Sequence, residues 1–385
     1  MNQNTTALGS LCAAAALLNS LAGQANANPL TQEYSLDYLT NVYQEGDIPR
    51  DKLATGSESR YTINTHLLMG VVPLTEDSQL TITGLHESMT GASPWYVVPG
   101  DEGEPAQVMS NATIDEARNQ IDLDLYTYHD RSESTLSLSY SKENDYDSVG
   151  FGYSGAWRFN NDLTSINFGL NAGQDNIHPT QDDRFPGRVR SEAQNRLGGF
   201  VGVSHIMTKN RLVGLSLGTS NQVGYLSDPY KQVWIDGSVA PDARPDRKSL
   251  TSLSLMWREY LPAYNAALHT DLAAYQDNWT TTAASLNLAW HQNLPYNWQL
   301  VPSMRVYHQT EAAFYSPYYE TTRSDGYYSS DYRLSEFTAF SGKLKAVWNW
   351  SNFQVKGSYE YYGTQGEHPG LVSYSLYSFG MGATF

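Results

Sequence analysis

The sequence contains almost no cysteine: Cys12 is the only one among 385 residues, and it lies in an apolar run near the N-terminus. A chain of this size without other cysteines is unlike the small secreted scaffolds that depend on disulfide bonds. Its stability must therefore come from the fold itself.

Long apolar runs and positive charge are also scarce. Beyond residue 27, no stretch approaches the roughly 18 apolar residues that a membrane-spanning helix needs. The chain has 24 Lys and Arg against 40 Asp and Glu, a formal net charge of −16, and no basic patch for nucleic acid. The sequence therefore argues against a helical membrane protein and against a protein that binds nucleic acid.

Enzyme motifs are lacking as well, since there is neither a phosphate-binding loop nor a Gly-rich dinucleotide motif. Ser204 and His205 are adjacent, but neighbours on a strand point to opposite faces, so this pair cannot act together without a bulge. The nine histidines are scattered singly, and none has metal-ligand spacing on a shared face. We therefore predict no enzymatic activity, no catalytic residue, no cofactor and no metal site.

One acidic loop offers oxygen and nitrogen ligands for a divalent ion. Asp175, His178, Asp182 and Asp183 all lie in it. A weak ion site and an ordinary solvated loop both fit this composition, and the solvated loop is the favoured interpretation.

Strand-forming residues are abundant, with 28 tyrosines, and the period is two almost everywhere after residue 30. In one example Leu286, Leu288 and Trp290 share one face; in another, Ile63 and Val71 lie on the apolar face. Sixteen such segments can be counted. They are centred near residues 38, 66, 83, 123, 138, 154, 168, 201, 216, 255, 270, 287, 304, 344, 357 and 379.

The connections between these segments alternate in length. Short turns alternate with mostly longer loops, which include residues 89–118, 173–195, 222–249 and 311–336. Short turns at one end and long loops at the other are typical of an antiparallel bacterial outer-membrane barrel with both termini in the periplasm. The predicted fold is therefore all-β, an antiparallel transmembrane β-barrel of about 16 strands with short periplasmic turns and long extracellular loops; 14 or 18 strands remain alternatives.

The N-terminus predicts export. An apolar run is followed by Ala25, Asn26 and Ala27, a small-x-small cleavage pattern before Asn28, although no Lys or Arg precedes the run. We therefore predict a signal peptide over residues 1–27, a barrel over residues 28–385, and a location in the outer membrane, in contact with its lipid and lipopolysaccharide.

The last segment, "SYSLYSFGMGATF", alternates aromatic and small residues to the final position. Its apolar face is expected to contact lipid while the strand closes the barrel against the first one. Tyr377, Phe379 and Phe385 resemble the signal that the barrel-assembly machinery recognises, which makes that machinery a predicted partner.

Aromatic residues gather near both inferred membrane boundaries, where amphipathic rings favour the headgroup region. Two girdles are therefore predicted. The set beside short turns is Tyr264, Tyr296, Trp298, Trp348, Trp350 and Phe353, and the set near long loops is Trp95, Tyr225, Trp234, Trp279 and Tyr315.

The same strand register points charged side chains into the lumen. The predicted lumen-lining residues are Asp122, Asp124, Asp271, Arg258, Arg305, Lys343, Lys345, Lys356 and Glu360. Acids come mainly from earlier strands and bases from later ones, which predicts a field across an open channel; in a filled barrel the same residues would neutralise one another. The loops 89–118 and 222–249 are candidates to fold inward as a constriction, and the six tyrosines of 311–336 form either a stacking platform or a self-packed loop.

Four segments resemble one protein family. They are "GYLSDPYK" (224–231), "RPDRKSLTSLSLMWREYL" (244–261), "LHESMTGASP" (85–94) and "MRVYHQTEAAFYSP" (304–317). They are similar to family 3570 of domains of unknown function, uncharacterised proteobacterial outer-membrane barrels. The resemblance implies a barrel and its location, and the company of that family, a small lipoprotein, a flavin transferase and thioredoxin-like proteins, suggests an envelope redox role.

Three functions follow as hypotheses. A porin-like channel for small solutes is the leading one. The alternative is a filled barrel that anchors or helps to assemble a periplasmic lipoprotein or a flavin or redox protein. An outer-membrane hydrolase is the least supported, because the motifs for it are missing.

Overall fold

Sixteen antiparallel strands close into one barrel in the computed structural model, which describes residues 33–111, 114–183, 185 and 187–385. The barrel strands are Ser35–Glu45, Thr62–Thr75, Ser78–Gly91, Ile114–His129, Ser132–Lys142, Tyr146–Phe159, Thr164–Ile177, Glu192–Thr208, Arg211–Gly224, Arg247–Leu261, Ala266–Asp277, Thr282–Asn293, Trp298–Gln309, Phe337–Trp350, Phe353–Gln365 and Tyr374–Thr384. Each predicted segment corresponds to one of them, so the predicted fold class and strand number are confirmed. The predicted signal peptide lies outside the described residues.

Every strand pairs with its neighbours along the chain, and the last strand pairs with the first. Ser35 lies opposite Thr384, and Glu45 lies opposite Tyr374. Beyond that ladder, Tyr34 and Phe385 exchange two main-chain hydrogen bonds of 3.0 Å. Closure leaves no free edge in this sheet, as a membrane-spanning β-structure requires.

Connection lengths sort by end, as predicted. At the short-turn end, connections are as tight as residues 76–77 and 351–352, and Asn160, Asn161 and Asp162 adopt left-handed conformations that Asn and Asp tolerate. At the long-loop end, the connections include residues 225–246 and 310–336. The barrel therefore presents one compact rim and one rim that carries extensive loops.

Apolar side chains cover the outer surface of most strands. Leu170 is 64 % exposed and Leu138 is 50 % exposed, values that apolar side chains rarely have in water in such number. On the strand Thr62–Thr75 the more apolar face lies inside: Ile63 and Val71 are buried and Leu68 is exposed. The outer belt is that of a membrane-spanning barrel, while part of the inner wall is apolar.

The aromatic girdle at the short-turn end is present. Trp298, Trp348, Trp350 and Phe353 form a stacked row with centroid separations of 6.0, 6.0 and 6.2 Å. Tyr296 nearby is almost fully exposed. This row marks the level of one membrane boundary.

The second predicted girdle is wrong for the tryptophans that were assigned to it. Trp279 is buried against Phe314, Trp95 meets the ring of Phe185 edge-on, and Trp234 meets Tyr318 edge-on. These rings pack among the loops, because the loops fold over one another instead of extending from the membrane.

Short elements give those loops their own structure. The strands Leu53–Thr55, Pro94–Pro99 and Pro105–Met109 form a three-stranded sheet, and Gln232–Ile235 pairs with Ser238–Pro241 as a hairpin. The 3₁₀ helices are Arg50–Lys52, Pro262–Tyr264 and Tyr332–Leu334. Within the described part of the chain, no helix is long and apolar enough to cross a membrane.

Candidate functional site

The loops at the long-loop end interlock into one unit, here named the mouth assembly, formed by residues 46–61, 92–111, 225–246, 310–336 and 366–373. Ala243 and Tyr328 exchange main-chain hydrogen bonds of 2.9 and 2.7 Å, which joins two of these loops. Val233 and Tyr319 bury their side chains in the same place. The loop 310–336 is therefore packed against the loop 225–246, and its use as a stacking platform stays a prediction.

Asp331 is the centre of a buried charge network in the mouth assembly. Its side chain is fully buried, and it accepts a hydrogen bond of 2.8 Å from Arg244 and further bonds from Arg333. Arg333 also reaches Asp228 at 2.8 Å, and Arg244 reaches Asp242 at 2.7 Å. These cations hold the pKa of Asp331 well below its usual range despite burial. The network joins loops that are far apart in sequence.

A second buried ion pair ties the first loop to the barrel wall. Arg60 forms an ion pair with Glu45 at 2.8 Å, and neither side chain is appreciably exposed. The guanidinium also lies 4.9 Å from the ring centroid of Tyr61 and 5.4 Å from that of Tyr332. Because Tyr332 belongs to the loop 310–336, Arg60 connects two parts of the mouth assembly through its charge and its planar face.

His368 is a buried titratable group beside this network. Its Nδ1 accepts a hydrogen bond of 2.8 Å from the main chain of Gly370, and its Nε2 donates to the carbonyl of Ser330 at 2.9 Å. This pattern requires the neutral ring, and burial lowers the pKa of His368 to about 4. Lys231 lies in the same region, and burial lowers its pKa to about 8. The mouth assembly therefore contains one group, His368, whose protonation would disturb its packing.

Below the mouth, the predicted lumenal acids lie on one wall. Asp122 and Asp124 alternate with the exposed Ile121 and Leu123, so they lie on the opposite face of the sheet. Gln120 donates to both oxygens of Asp122 at 2.9 Å. No cation among the described residues forms an ion pair with either carboxylate.

Predicted lumenal bases gather on another wall. Lys343, Lys345 and Lys356 line a cavity of about 230 Å³. Only Lys343 has a carboxylate nearby, Glu360 at 3.6 Å. A Cβ on Gly380 would lie 2.6 Å from Cε of Lys356, so the glycine leaves room for the lysine to lie across the last strand.

The remaining predicted residues divide differently. Arg258 donates to Asp271 at 2.7 Å on the neighbouring strand, so this acid and this base neutralise one another. Arg305 has its guanidinium 5.7 Å from the ring centroid of Tyr307. The separation of acids and bases expected from strand order therefore holds for the two aspartates and the lysine cluster, and not for Asp271.

Two histidines that the sequence pattern did not bring together are in contact. The rings of His269 and His291 have centroids 4.1 Å apart. They are two residues out of register on adjacent strands, because His269 lies opposite Ala289 and His291 opposite Ala267. Only the strand pairing reveals this contact, which the expectation of no metal-ligand spacing on a shared face does not address.

The acidic loop considered for a weak ion site is also different. Asp175 is fully buried and belongs to a strand, where it pairs with Arg196 at 2.7 Å and accepts from Gln194 at 2.8 Å. It is therefore a structural ion pair and not a solvated loop carboxylate. Ser204 and His205 have separate partners, Asn167 and Thr164, in keeping with opposite faces.

The residues of the predicted barrel-assembly signal face outward. Tyr377, Phe379 and Phe385 are all exposed, and Tyr377 packs against Tyr359 with ring centroids 5.0 Å apart. They alternate with glycines on the inner face, so the last strand has the two-sided pattern that its sequence predicts. Their recognition by assembly machinery stays a prediction.

Comparisons with known proteins complete the description. The family model described as "Protein of unknown function (DUF3570)" matches residues 8–382. No curated protein matches the chain. Among solved structures, a bacterial polysaccharide outer membrane secretin is 12 % identical with a TM-score of 0.48, covering 93 % of this chain and 100 % of that one.

Two further outer-membrane proteins of known structure, one of them a porin, are similar at comparable values. A BenF-like porin from Pseudomonas fluorescens Pf-5 is 7 % identical with a TM-score of 0.46, covering 92 % of this chain and 98 % of that one. The outer membrane protein OpdK from Pseudomonas aeruginosa is 9 % identical with a TM-score of 0.42, covering 92 % and 100 %. At these values the likeness carries no argument about what this chain does.

Proposed function

Since the chain belongs to the DUF3570 family of proteins of unknown function, which brings no activity with it, we propose a function from the barrel's own geometry. The protein is a channel of the outer membrane that passes small solutes, favours anions, and opens when the mouth assembly moves. The observation that carries the proposal is the cavity of about 230 Å³ lined by Lys343, Lys345 and Lys356.

Charge on the inner wall supports the choice of anions. Lys345 and Lys356 have no carboxylate within ion-pair distance among the described residues, whereas Lys343 retains a contact of 3.6 Å with Glu360. An uncompensated positive wall raises the local concentration of anions and lowers that of cations. A filled barrel would instead be expected to pair these lysines with acids, because an unpaired buried charge is costly.

The mouth assembly supports a regulated channel. Fully buried ion pairs, such as that between Arg60 and Glu45, hold its loops together, so the loops do not extend freely into solvent. Such a network has a defined closed arrangement, and a group of loops can leave it together. Solute passage then requires displacement of the mouth assembly.

Single-channel recording in planar bilayers tests the proposal. With purified protein, Lys356→Glu and Arg305→Glu are expected to shift the permeability ratio from anions towards cations. Lys209→Glu is the matched control, because Lys209 is exposed in the turn 209–210 outside the barrel wall, and it should leave the ratio unchanged. The same charge change at two places separates lumenal from surface electrostatics.

Two results would contradict the proposal. One is that the folded protein shows no conductance, either as wild type or after a substitution that loosens the mouth assembly. The other is a conductance whose ion preference does not respond to Lys356→Glu. Silence from folded protein would favour the filled barrel, and crosslinking to a periplasmic lipoprotein or redox protein would then be the measurement to make.

A further inference from the structure

Three carboxylates converge at the long-loop end of the barrel wall. Glu116 lies near the start of the strand Ile114–His129, and Glu143 and Asp145 lie in the connection to the strand Tyr146–Phe159. One ligand oxygen from each lies within 4.8 Å of the other two. The sequence hides this cluster because its members are 27 residues or more apart in two of the three pairs.

Strand register explains the convergence. Asn119 lies opposite Lys142, so extending the antiparallel pairing by three residues brings Glu116 next to Asp145. Glu143 and Asp145 are two positions apart and therefore share a side of the extended chain. The main-chain N–H of Asn144 donates to Glu116 at 3.3 Å, which holds the connection against the strand.

These carboxylates are buried, and most of their oxygens lack hydrogen-bond partners. Glu116, Glu143 and Asp145 are 0, 5 and 2 % exposed. Four of their oxygens, Oε2 of Glu116, both Oε atoms of Glu143 and Oδ1 of Asp145, have no hydrogen-bond partner among the described residues. Buried carboxylate oxygens in native proteins nearly always have a partner, so four together indicate that a bound group supplies their partners.

Two nearby cations, Arg118 and Arg188, act on Glu143 and Asp145 through their charge, but neither donates a hydrogen bond to the four oxygens. Arg118 is the nearest basic residue of the same strand, and it is bonded to Glu87 at 2.5 Å. Arg188 donates to the carbonyls of Thr180 and Pro229 and lies over the ring of Tyr230 at 4.6 Å. Together with Glu87 the cluster therefore holds four carboxylates against two guanidinium groups, a local excess of negative charge.

Protonation alone does not resolve the excess. Burial above all raises the pKa of Glu143 to about 8, and burial also raises the pKa of Asp145. A protonated carboxyl group still carries a donor and an acceptor that need partners, and neither oxygen of Glu143 has one. A bound cation would be contacted by one oxygen from each of the three carboxylates at once.

We propose that Glu116, Glu143 and Asp145 form a binding site for a hard divalent cation of the Ca²⁺ class. The ligands are carboxylate oxygens without nitrogen or sulfur, which favours Ca²⁺ or Mg²⁺ over zinc. Ca²⁺ is favoured of the two because it accepts irregular geometry and several carboxylates, whereas Mg²⁺ demands a near-octahedral shell.

The site joins the barrel wall to the mouth assembly. Tyr230 donates a hydrogen bond to the second oxygen of Asp145, and His178 donates from its main chain to the Asp145 carbonyl at 2.7 Å. A cation that orders Asp145 therefore also orders the loop that carries Tyr230. This role in holding the loops does not depend on whether solutes pass through the barrel.

Calcium titration of the full-length protein tests the proposal. Protein refolded into detergent from inclusion bodies, and thus free of lipopolysaccharide, is stripped with EDTA and studied by titration calorimetry and thermal melting with CaCl₂. One saturable site is expected, with a rise in melting temperature of about 3 °C at free Ca²⁺ 100 times the Kd. A parallel titration with MgCl₂ is expected to give weaker binding.

Variants identify the ligands. Glu143→Gln is expected to abolish binding and the rise in melting temperature. Asp175→Asn is the matched control, because Asp175 is an equally buried carboxylate that is paired with Arg196, and it should retain both. If Glu143→Gln fails to fold, Asp145→Asn serves in its place.

The outcomes are decisive. Folded wild-type protein with no saturable heat, and with the same melting temperature in EDTA and in Ca²⁺, would overturn the proposal. Undiminished binding in a folded Glu143→Gln or Asp145→Asn variant would overturn it as well, because the cation would then be elsewhere. Loss of binding in that variant with retention in Asp175→Asn would establish it.

Discussion

Replacing Asp331 by alanine tests whether the mouth assembly is a gate. Asp331 is fully buried and holds Arg244 at 2.8 Å and Arg333 through several bonds. Its removal leaves two buried guanidinium groups with only Asp228 and Asp242 as counter-charges. Breaking a buried pair by removing one partner costs about 3 to 5 kcal/mol. The substitution therefore destabilises the closed arrangement relative to the open one by this amount.

The expected size of the effect follows from that range. Because about 1.4 kcal/mol is a factor of ten, the equilibrium between open and closed arrangements should shift by about 100-fold to about 4,000-fold towards open. In planar bilayers this appears as a much higher open probability at unchanged unit conductance, since the lumenal lysines are not altered.

Asp325→Ala is the matched control in the same loop. Asp325 pairs with Arg323 at 2.6 Å, but its side chain is 41 % exposed. Exposed pairs contribute about 0 to 1 kcal/mol, so the open probability should hardly change. A folded Asp331→Ala protein with the open probability of the wild type would refute the reasoning, because the buried network would then not hold the mouth closed.

Two further predictions concern pH and backbone. Burial lowers the pKa of His368 to about 4 in the folded protein, against an ordinary 6.5. The stability that the neutral ring contributes is therefore present above pH 6.5 and is lost as the pH falls through 4, by up to about 3 kcal/mol. Open probability or loop proteolysis should rise over this window in wild type and much less in His368→Gln, and equal pH profiles would contradict this. Gly91 has φ +132° and a Cβ there would meet the carbonyl oxygen of Arg60 at 2.3 Å, so Gly91→Ala should lower stability by about 1 to 3 kcal/mol in urea unfolding. Gly84→Ala, where nothing lies within 4 Å, is its control, and equal losses in both variants would contradict the steric argument.

The architecture could be read from the sequence because it depends on local signals. Three local patterns predict the barrel: a period of two, connection lengths that alternate, and a two-sided last strand. In a barrel where each strand pairs with its neighbours along the chain, these patterns are enough to predict every strand pairing. The strand Thr62–Thr75 is different, because its apolar face lies inside the barrel. Alternation predicts that a strand has two faces but not which of them is the inner one.

The candidate site was harder to predict from the sequence, because its contacts join segments that are distant along the chain. Arg60 and Tyr332, or His269 and His291, meet only through register or loop folding, and composition carries no trace of it. Asp271 was expected among the acids of one wall, whereas its ion-pair partner Arg258 lies on the strand before it. Tryptophans such as Trp279 were assigned to a girdle because position in sequence does not distinguish a ring at the membrane from one buried under a loop.

The seam between the first and last strands has a mechanical consequence. Ser35 lies opposite Thr384, and Tyr34 and Phe385 are bonded at the end of that ladder, so both ends of the described chain emerge at the same end of the seam. Tension applied between them loads the hydrogen bonds one after another, as in a zipper, and not all together in shear. The barrel is therefore weakest against a pull on its two ends, while tension in the plane of the membrane is shared by all sixteen ladders.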